Sequence, residues 1–180
     1  LSGNCSECRE FPPIQSSTCE IVLYTSGSTG KPKAFSKRLT ELETETAELW
    51  RLWGDRLAGK RVYSTVNHQH IYGLLFSILL PVSASLPFCE DQIKYPESLE
   101  SIPDPDPVLV CSPAFFKRLA ETPLESGRFS DGLTVFSSGG VLPRETARAA
   151  GDILGTTPLE IYGSTETGGI AWRKSVEETA

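Results

Sequence analysis

The sequence predicts an α/β fold in which a largely parallel sheet is flanked by helices. Short apolar runs rich in β-branched residues alternate with segments that carry apolar residues at helical spacing. This alternation is typical of strands that are connected through helices. Glycine-rich loops follow three of the predicted strands. A chain of 180 residues is long enough to bury a core, so one domain is expected.

The chain is expected to begin with an irregular lead-in over 1–19, followed by one α/β domain over 20–180. The run EIVLYT at 20–25 has the apolar, β-branched character of a buried parallel strand. A helix is predicted over 39–57, with Ser36 as its cap and Gly59 as its stop. Further strands are predicted at 61–66, 108–112, 133–137 and 159–162, with weaker candidates at 82–86 and 170–173, and further helices at 72–80, 113–120 and 143–154.

The loop after the first predicted strand has the composition of a phosphate-binding loop. Its sequence, LYTSGSTGKPK at 23–33, supplies backbone amides freed by glycine, several hydroxyls and two ammonium groups. The glycine spacing differs from that of the Walker loop. A flexible linker is the alternative for such a stretch. The candidate phosphate-binding residues are Thr25, Ser26, Gly27, Ser28, Thr29, Gly30, Lys31 and Lys33.

Two more loops of this kind follow later strands. They are SSGGVL at 137–142 and GSTETGG at 163–169. Ligands of parallel sheets lie beyond the carboxyl ends of the strands. We therefore expect the three loops to converge at one edge of one sheet, around an anionic ligand.

Composition excludes several other classes of protein. The net charge of −6 and the absence of a basic stripe argue against a nucleic-acid partner. The longest apolar run is too short to cross a membrane. Five cysteines form neither a complete disulfide framework nor a zinc ribbon, which favours reduced thiols and a cytoplasmic location.

Four motifs in order resemble the core motifs of the adenylate-forming superfamily. These motifs are YTSGSTGKPK, NHQHIYGL, SSGGVLP and EIYGSTETGG, and the similarity spans roughly 20–173. Within the superfamily, the chain looks most like the acyl- or aryl-activating ligases of aryl polyene pathways. The resemblance implies that the chain is part of the N-terminal domain of such an enzyme.

The resemblance also implies a two-step reaction. A carboxylate of an aryl, enoyl or fatty acid attacks the α-phosphate of ATP, which gives an acyl-adenylate and pyrophosphate. The thiol of coenzyme A, or of phosphopantetheine on an acyl carrier protein, then takes the acyl group. By this resemblance the loop at 25–33, with Lys33, surrounds the β- and γ-phosphates, Glu166 holds Mg²⁺, and Thr165 donates its hydroxyl to the α-phosphate.

The remaining site residues follow from the same resemblance. Gly139 and Gly140 let the backbone approach the adenine, and Tyr162 offers a ring for stacking. Gly163 belongs to the same nucleotide-binding set. His70 lines the acyl pocket, where an imidazole suits contact with the substrate carboxylate or ring.

Each of these residues also has an ordinary structural interpretation. Thr165 and Glu166 fit a helix cap beside a solvated acid, Tyr162 fits a core tyrosine, and His70 fits a buried, hydrogen-bonded histidine. Tyr72 and Phe76 are expected to belong to the core. A transition-metal site at the H-x-H pair is rejected because no nearby cysteine or acid pair completes a ligand set.

The chain is shorter than the members of the superfamily it resembles. We expect a fragment that is inactive alone, since the superfamily's ribose-binding aspartate and its C-terminal lysine find no counterpart here. A non-catalytic nucleotide-binding scaffold, or an interaction domain, is the alternative function.

Overall fold

The computed structural model of the chain describes residues 12–26 and 32–175. Its strands are β1 (Glu20–Ser26), β2 (Pro32–Arg38), β3 (Val62–Ser64), β4 (Val108–Cys111), β5 (Thr134–Ser137), β6 (Leu159–Ser164) and β7 (Gly168–Lys174). Its α-helices are α1 (Leu39–Leu57), α2 (Ile71–Leu74), α3 (Leu80–Ser83), α4 (Pro113–Glu121) and α5 (Arg144–Leu154). A π-helical turn, Leu75–Leu79, joins α2 to α3, and a 3₁₀-helix, Pro96–Ser101, precedes β4.

The main sheet is largely parallel, as the sequence predicts. Its five strands have the order β3-β4-β5-β6-β7. The first four are parallel to one another, and β7 pairs antiparallel with β6. The predicted strands at 61–66, 108–112, 133–137, 159–162 and 170–173 are confirmed within a few residues at their ends.

The prediction of a buried parallel strand at 20–25 is wrong. This segment is β1, which forms a separate antiparallel two-stranded sheet with β2. Leu23 is buried, but Val22 and Tyr24 are 50% and 64% exposed, so the run lacks the two covered faces of a central parallel strand. Ser36 lies within β2, where its hydroxyl donates to Glu20 at 2.7 Å, and it does not cap a helix.

Helix α1 matches its predicted bounds and uses a different cap. The backbone N–H of Arg38 donates to the Glu41 carboxylate at 2.8 Å, which satisfies one free donor at the helix start. The helix ends just before Gly59, as expected. The predicted helix at 72–80 is confirmed as part of a continuous helical stretch, 71–83.

The weaker strand candidate at 82–86 is wrong. Its first two residues complete α3, and the chain then turns at Ser85, whose φ of 54° is incompatible with a strand. Val82 is 61% exposed, whereas Leu86, just after the turn, is buried in the same half of the core as Leu80.

Helices cover both faces of the main sheet, so the core has two halves. On one face, α1 and the stretch 71–83 pack on β3, β4 and β5. An aromatic cluster lies at the centre of this half, where Phe136 is 5.0 Å from Trp53 and 4.9 Å from Phe76 between ring centroids. On the other face, α4 and α5 pack on Leu109 and Val135. The two layers fix the carboxyl edge of the sheet, where the predicted loops begin.

Candidate functional site

The phosphate-type loop connects the two strands of the β1–β2 hairpin. Thr25 pairs with Lys33, and Ser26 pairs with Pro32, so the two ends of the loop lie opposite each other. The candidate residues Gly27, Ser28, Thr29, Gly30 and Lys31 lie outside the described residues, as does the side chain of Ser26.

The motif GSTETGG forms the turn between β6 and β7. Ser164 and Thr167 close this turn through reciprocal bonds, since the backbone N–H of each donates to the other's hydroxyl oxygen at 3.2 Å. Thr165 and Glu166 therefore occupy the tip of a closed four-residue turn. No helix begins there, so the helix-cap interpretation of Thr165 is wrong.

Glu166 projects into solvent beside two lysines. Its own backbone N–H and the hydroxyl of Ser164 hold the pKa of its carboxyl below the ordinary value of 4.5, and the ammonium groups of Lys33 and Lys37 act in the same direction. The side chain is exposed, so a metal bound to phosphate oxygens can reach it. A hard oxygen ligand beside cationic side chains suits Mg²⁺ on a polyphosphate.

Lys37 links the hairpin to the turn. Its Nζ donates to the backbone carbonyl of Glu166 at 3.3 Å, although the residues are 129 positions apart. The expected convergence of three loops at one sheet edge therefore needs a correction. The loops at 137–142 and 163–169 do follow parallel strands of one sheet, whereas the phosphate-type loop comes from the separate hairpin and is joined to them through β2.

Two adjoining cavities open at the carboxyl edge of the main sheet. Cavity A has a volume of about 380 Å³ and lies between α2, the ends of β4 and β5, and the turn after β6. Cavity B has a volume of about 520 Å³ and lies between the loop after β5, the end of β6, and β7. Their shared wall consists of Ser138, Gly139, Ile161 and Gly163.

Cavity A brings together residues from three of the motifs. His70 borders it at the start of α2, and Thr165 borders it from the turn. His70 is exposed, so its interpretation as a buried core histidine is wrong. Phe76 is a core residue as expected, being 3% exposed, and it also forms the cavity wall together with Tyr72.

Cavity B collects the residues that were expected around adenine. Gly139, Gly140, Tyr162 and Gly163 all border it. Tyr162 is 69% exposed, so it is not a core tyrosine and its ring is accessible for stacking. A side chain at Gly140 would meet only Pro113, at 3.8 Å, which leaves the backbone open to a flat ligand.

The wall between the cavities is held by a direct contact. The hydroxyl of Ser138 donates to the backbone carbonyl of Ile161 at 2.9 Å, which joins the SSGGVL loop to β6. Ser138 is 9% exposed. This hydrogen bond lies within the wall that both cavities share.

Sequence reasoning missed three residues that border or hold this site. They are Lys37, Glu45 and Trp172. Trp172 is 47% exposed and forms a wall of cavity B, and Glu45 reaches cavity A from α1. Glu45 is one of five glutamates or aspartates between 39 and 57, and nothing in the sequence distinguishes it from the others.

In 12–26 and 32–175, no group of three or more histidine, cysteine, aspartate or glutamate side chains is placed to hold a metal ion. In the same ranges, no helix has the length and apolar character needed to cross a membrane.

The fold and the two cavities define an α/β ligand-binding domain whose site lies at the carboxyl edge of a parallel sheet. The chain belongs to the AMP-binding enzyme family, whose sequence model matches residues 4–180.

Curated relatives and solved structures are consistent with this membership. The chain is 32% identical over 167 residues to a 4-coumarate–CoA ligase of Rhodobacter capsulatus. The aligned region covers 89% of this chain and 41% of the relative. A 4-coumarate–CoA ligase of Cereibacter sphaeroides is 30% identical, with coverage of 86% and 37%. The chain thus spans about two fifths of the length of these relatives.

Among solved structures, ATP-bound MatB from Rhodopseudomonas palustris superposes with a TM-score of 0.73 at 23% identity, over 87% of this chain and 31% of that one. A malonyl-CoA ligase complexed with methylmalonyl-CoA and AMP gives a TM-score of 0.72 at 23% identity, over 87% and 35%. At this identity the likeness establishes the shared fold.

Proposed function

We propose that the chain is the phosphate- and adenine-binding part of an ATP-dependent acid–thiol ligase. One observation carries the proposal: two cavities share a wall at the carboxyl edge of the sheet, and the turn with Thr165 and Glu166 lies next to that wall. Such an arrangement suits a reaction that joins two ligands, one in each cavity, at the turn. Membership of the AMP-binding enzyme family supports ATP as one of them.

In this proposal, cavity B holds adenine. Tyr162 stacks on the base, and the backbone at Gly139 and Gly140 approaches it closely because neither residue carries a side chain. Trp172 forms the far wall of the same cavity. The triphosphate then extends past Thr165 toward the β1–β2 hairpin.

The hairpin and the turn bind the phosphates. Thr25, the loop at 26–31 and Lys33 neutralise the β- and γ-phosphates, and Thr165 donates its hydroxyl to an α-phosphate oxygen. Glu166 would hold Mg²⁺ through its carboxylate, whose pKa lies below the ordinary value of 4.5 because of its own backbone N–H and the Ser164 hydroxyl. The metal would supply charge neutralisation for the departing pyrophosphate.

Cavity A holds the acid, with its carboxylate directed toward Thr165. In the first step, a carboxylate oxygen attacks the α-phosphorus and the bond to pyrophosphate breaks, which leaves an acyl-adenylate. In the second step, a thiolate sulfur attacks the acyl carbon and AMP departs. His70 orients the acid, and Tyr72 and Phe76 supply apolar walls.

The substrate class is an aryl or enoyl acid. The relatives that bear the name 4-coumarate–CoA ligase support this class, and so do the aromatic walls of cavity A. A fatty acid is the alternative. Coenzyme A is the favoured acceptor for the same reason, with carrier-protein phosphopantetheine as the other candidate.

Free thiols at Cys19, Cys89 and Cys111 are in keeping with a cytoplasmic location.

The test is acid-dependent exchange of pyrophosphate into ATP by the longest polypeptide that the gene encodes. Benzoic, cinnamic and fatty acids are compared, each with the wild type, Glu166→Ala and the control Glu48→Ala. We expect exchange with one acid class, a loss of at least about a hundredfold in Glu166→Ala, and no change in the control. Binding of Mg-ATP without exchange for any acid would assign the chain to a non-catalytic scaffold.

A further inference from the structure

Glu45 connects the middle of α1 to the turn between β6 and β7. Its Oε1 accepts a hydrogen bond from the backbone N–H of Gly169 at 2.6 Å, although the two residues are 124 positions apart. Glu45 is partly buried and borders cavity A together with Thr165. A carboxylate on a backbone N–H is one of the stronger hydrogen bonds available to a protein.

The two glycines at the end of the turn leave space for this carboxylate. A side chain at Gly168 would place its Cβ 2.6 Å from Oε2 of Glu45, and one at Gly169 would place it 3.2 Å from Oε1. Gly168 also has a φ of +70°, which L residues with side chains rarely adopt. The second half of the GSTETGG motif is therefore shaped around Glu45.

Among the glutamates of α1, Glu45 is the one whose hydrogen bond reaches the turn; Glu43 also bonds outside its helix, where it accepts from the Ser16 hydroxyl at 2.6 Å. Glu41 accepts from the start of its own helix, and Glu48 forms an exposed pair with Arg51 at 2.8 Å. Glu45 makes no ion pair with any residue that the structure describes. The carboxylate of Glu45 accepts its hydrogen bond from Gly169, at the end of the turn, so the contact connects α1 to the turn.

The contact also relates the turn to the phosphate hairpin. Strand β2 ends at Arg38 and α1 begins at Leu39, so β2 and Glu45 belong to one continuous segment without an intervening loop. Lys37, from the same segment, bonds the carbonyl of Glu166 on the other side of the turn. The turn is thus held at two points by the segment that carries the phosphate-type loop.

We infer that Glu45 is a positioning residue that fixes Thr165 and Glu166 relative to the phosphate-binding hairpin. This inference rests on the proposed function, which gives the turn its place in the nucleotide reaction. Glu45 acts through the backbone of Gly169 and its carboxylate oxygen serves as an acceptor. An amide oxygen at the same place can accept the same bond.

The experiment compares Glu45→Ala, Glu45→Gln and the helix-surface control Glu48→Ala in the longest polypeptide that the gene encodes. Hydrogen exchange of the peptide covering 163–169 is measured by mass spectrometry, together with kcat and KM for pyrophosphate exchange. In Glu45→Ala we expect amide hydrogen exchange in the turn to accelerate about tenfold or more, because a charge-assisted hydrogen bond is lost. Its kcat falls by a similar factor, whereas KM for the acid changes little.

Glu45→Gln is expected to retain most of the hydrogen-exchange protection of the turn and most of the wild-type kcat. The control Glu48→Ala is expected to match the wild type in protection and in kcat. Wild-type protection of the turn in Glu45→Ala would overturn the inference, and so would a loss in Glu45→Gln as large as that in Glu45→Ala. If no acid supports pyrophosphate exchange in the wild type, the proposed function fails, while the protection pattern of the turn still decides the role of Glu45.

Discussion

The ammonium of Lys37 donates to the backbone carbonyl of Glu166 at 3.3 Å, which joins the β1–β2 hairpin to the turn proposed to hold magnesium. Lys37 is 9% exposed, an unusual degree of burial for a lysine. The free-energy cost of burying the Lys37 ammonium is offset by its hydrogen bond to the turn and by the nearby Glu166 carboxylate. The contact therefore joins the strand that follows the phosphate-type loop to the GSTETGG motif, 129 positions away.

Replacing Lys37 by methionine keeps the apolar stem and removes the charged donor. We expect KM for Mg-ATP to rise about tenfold, because bonds from charged donors contribute about 1.5–3 kcal/mol. Steady-state pyrophosphate exchange measures this change. Lys117→Met, an exposed change on α4, serves as the control, and equal KM values in both variants would contradict the role assigned to Lys37.

The Glu166 carboxyl is expected to titrate below the ordinary glutamate pKa of 4.5. Its own backbone N–H and Ser164 stabilise the ionised form most, followed by Lys33 and Lys37. Because the pKa is lowered, the carboxylate stays mostly ionised as the pH falls through 4.5, and it becomes protonated only at a lower pH. Carboxyl ¹³C NMR titration measures the midpoint. Ser164→Ala is expected to raise it, and an unchanged midpoint would remove Ser164 as a cause.

Gly73 is expected to tolerate no side chain. A Cβ there would overlap the backbone carbonyl of Asn67, which cannot move without displacing the start of α2. We expect Gly73→Ala to lower the free energy of unfolding by about 1–3 kcal/mol, the usual cost of overpacking. Chemical denaturation measures it. Gly140→Ala, where the space is open, is the matched control, and equal losses would contradict the packing argument.

Cys111 is expected to remain a protonated thiol in the native chain. Burial raises its pKa from 9.0 to about 12, and Thr65 offsets this only in part. Because the thiolate is the nucleophile, iodoacetamide at pH 8 should leave Cys111 unmodified until the chain unfolds. Mass spectrometry identifies the labelled sites, and rapid native labelling of Cys111 would contradict its burial.

The same pKa shift gives a pH dependence of stability. A raised folded-state pKa favours the neutral thiol, so this contribution is complete below about pH 9 and is lost as the pH rises toward 12. Cys111→Ala should therefore show a shallower decline of unfolding free energy over that interval than the wild type. The comparison uses slopes, since the substitution also removes packing volume.

The sequence predicts the central sheet well because its signals are local. Runs such as 108–112 and 133–137 are apolar on both faces, and β4 and β5 are buried along their whole length. The hairpin is different. Strand β2 is polar and mostly exposed, with Lys37 as its buried position, so no apolar period marks it. Without a visible partner, the run at 20–25 predicts a buried parallel strand, whereas β1 pairs with β2 in a separate sheet.

The site divides in the same way. Residues within motifs, such as Tyr162 and Thr165, border the two cavities. Glu45 and Lys37 act across 124 and 129 positions of sequence, and their role depends on tertiary contacts. Local pattern carries no information about such contacts, since an exposed helix glutamate and a glutamate that holds a turn look alike in the sequence.

The most direct test of the account is the detection of the acyl-adenylate itself. The longest polypeptide that the gene encodes is incubated with Mg-ATP and 4-coumaric acid without a thiol acceptor, and the products are analysed by mass spectrometry. We expect coumaroyl-AMP from the wild type and from Glu48→Ala, and at least about a hundredfold less from Glu166→Ala. Tight Mg-ATP binding without an adenylate, from this acid or from the benzoic and fatty acids, would contradict the ligase account.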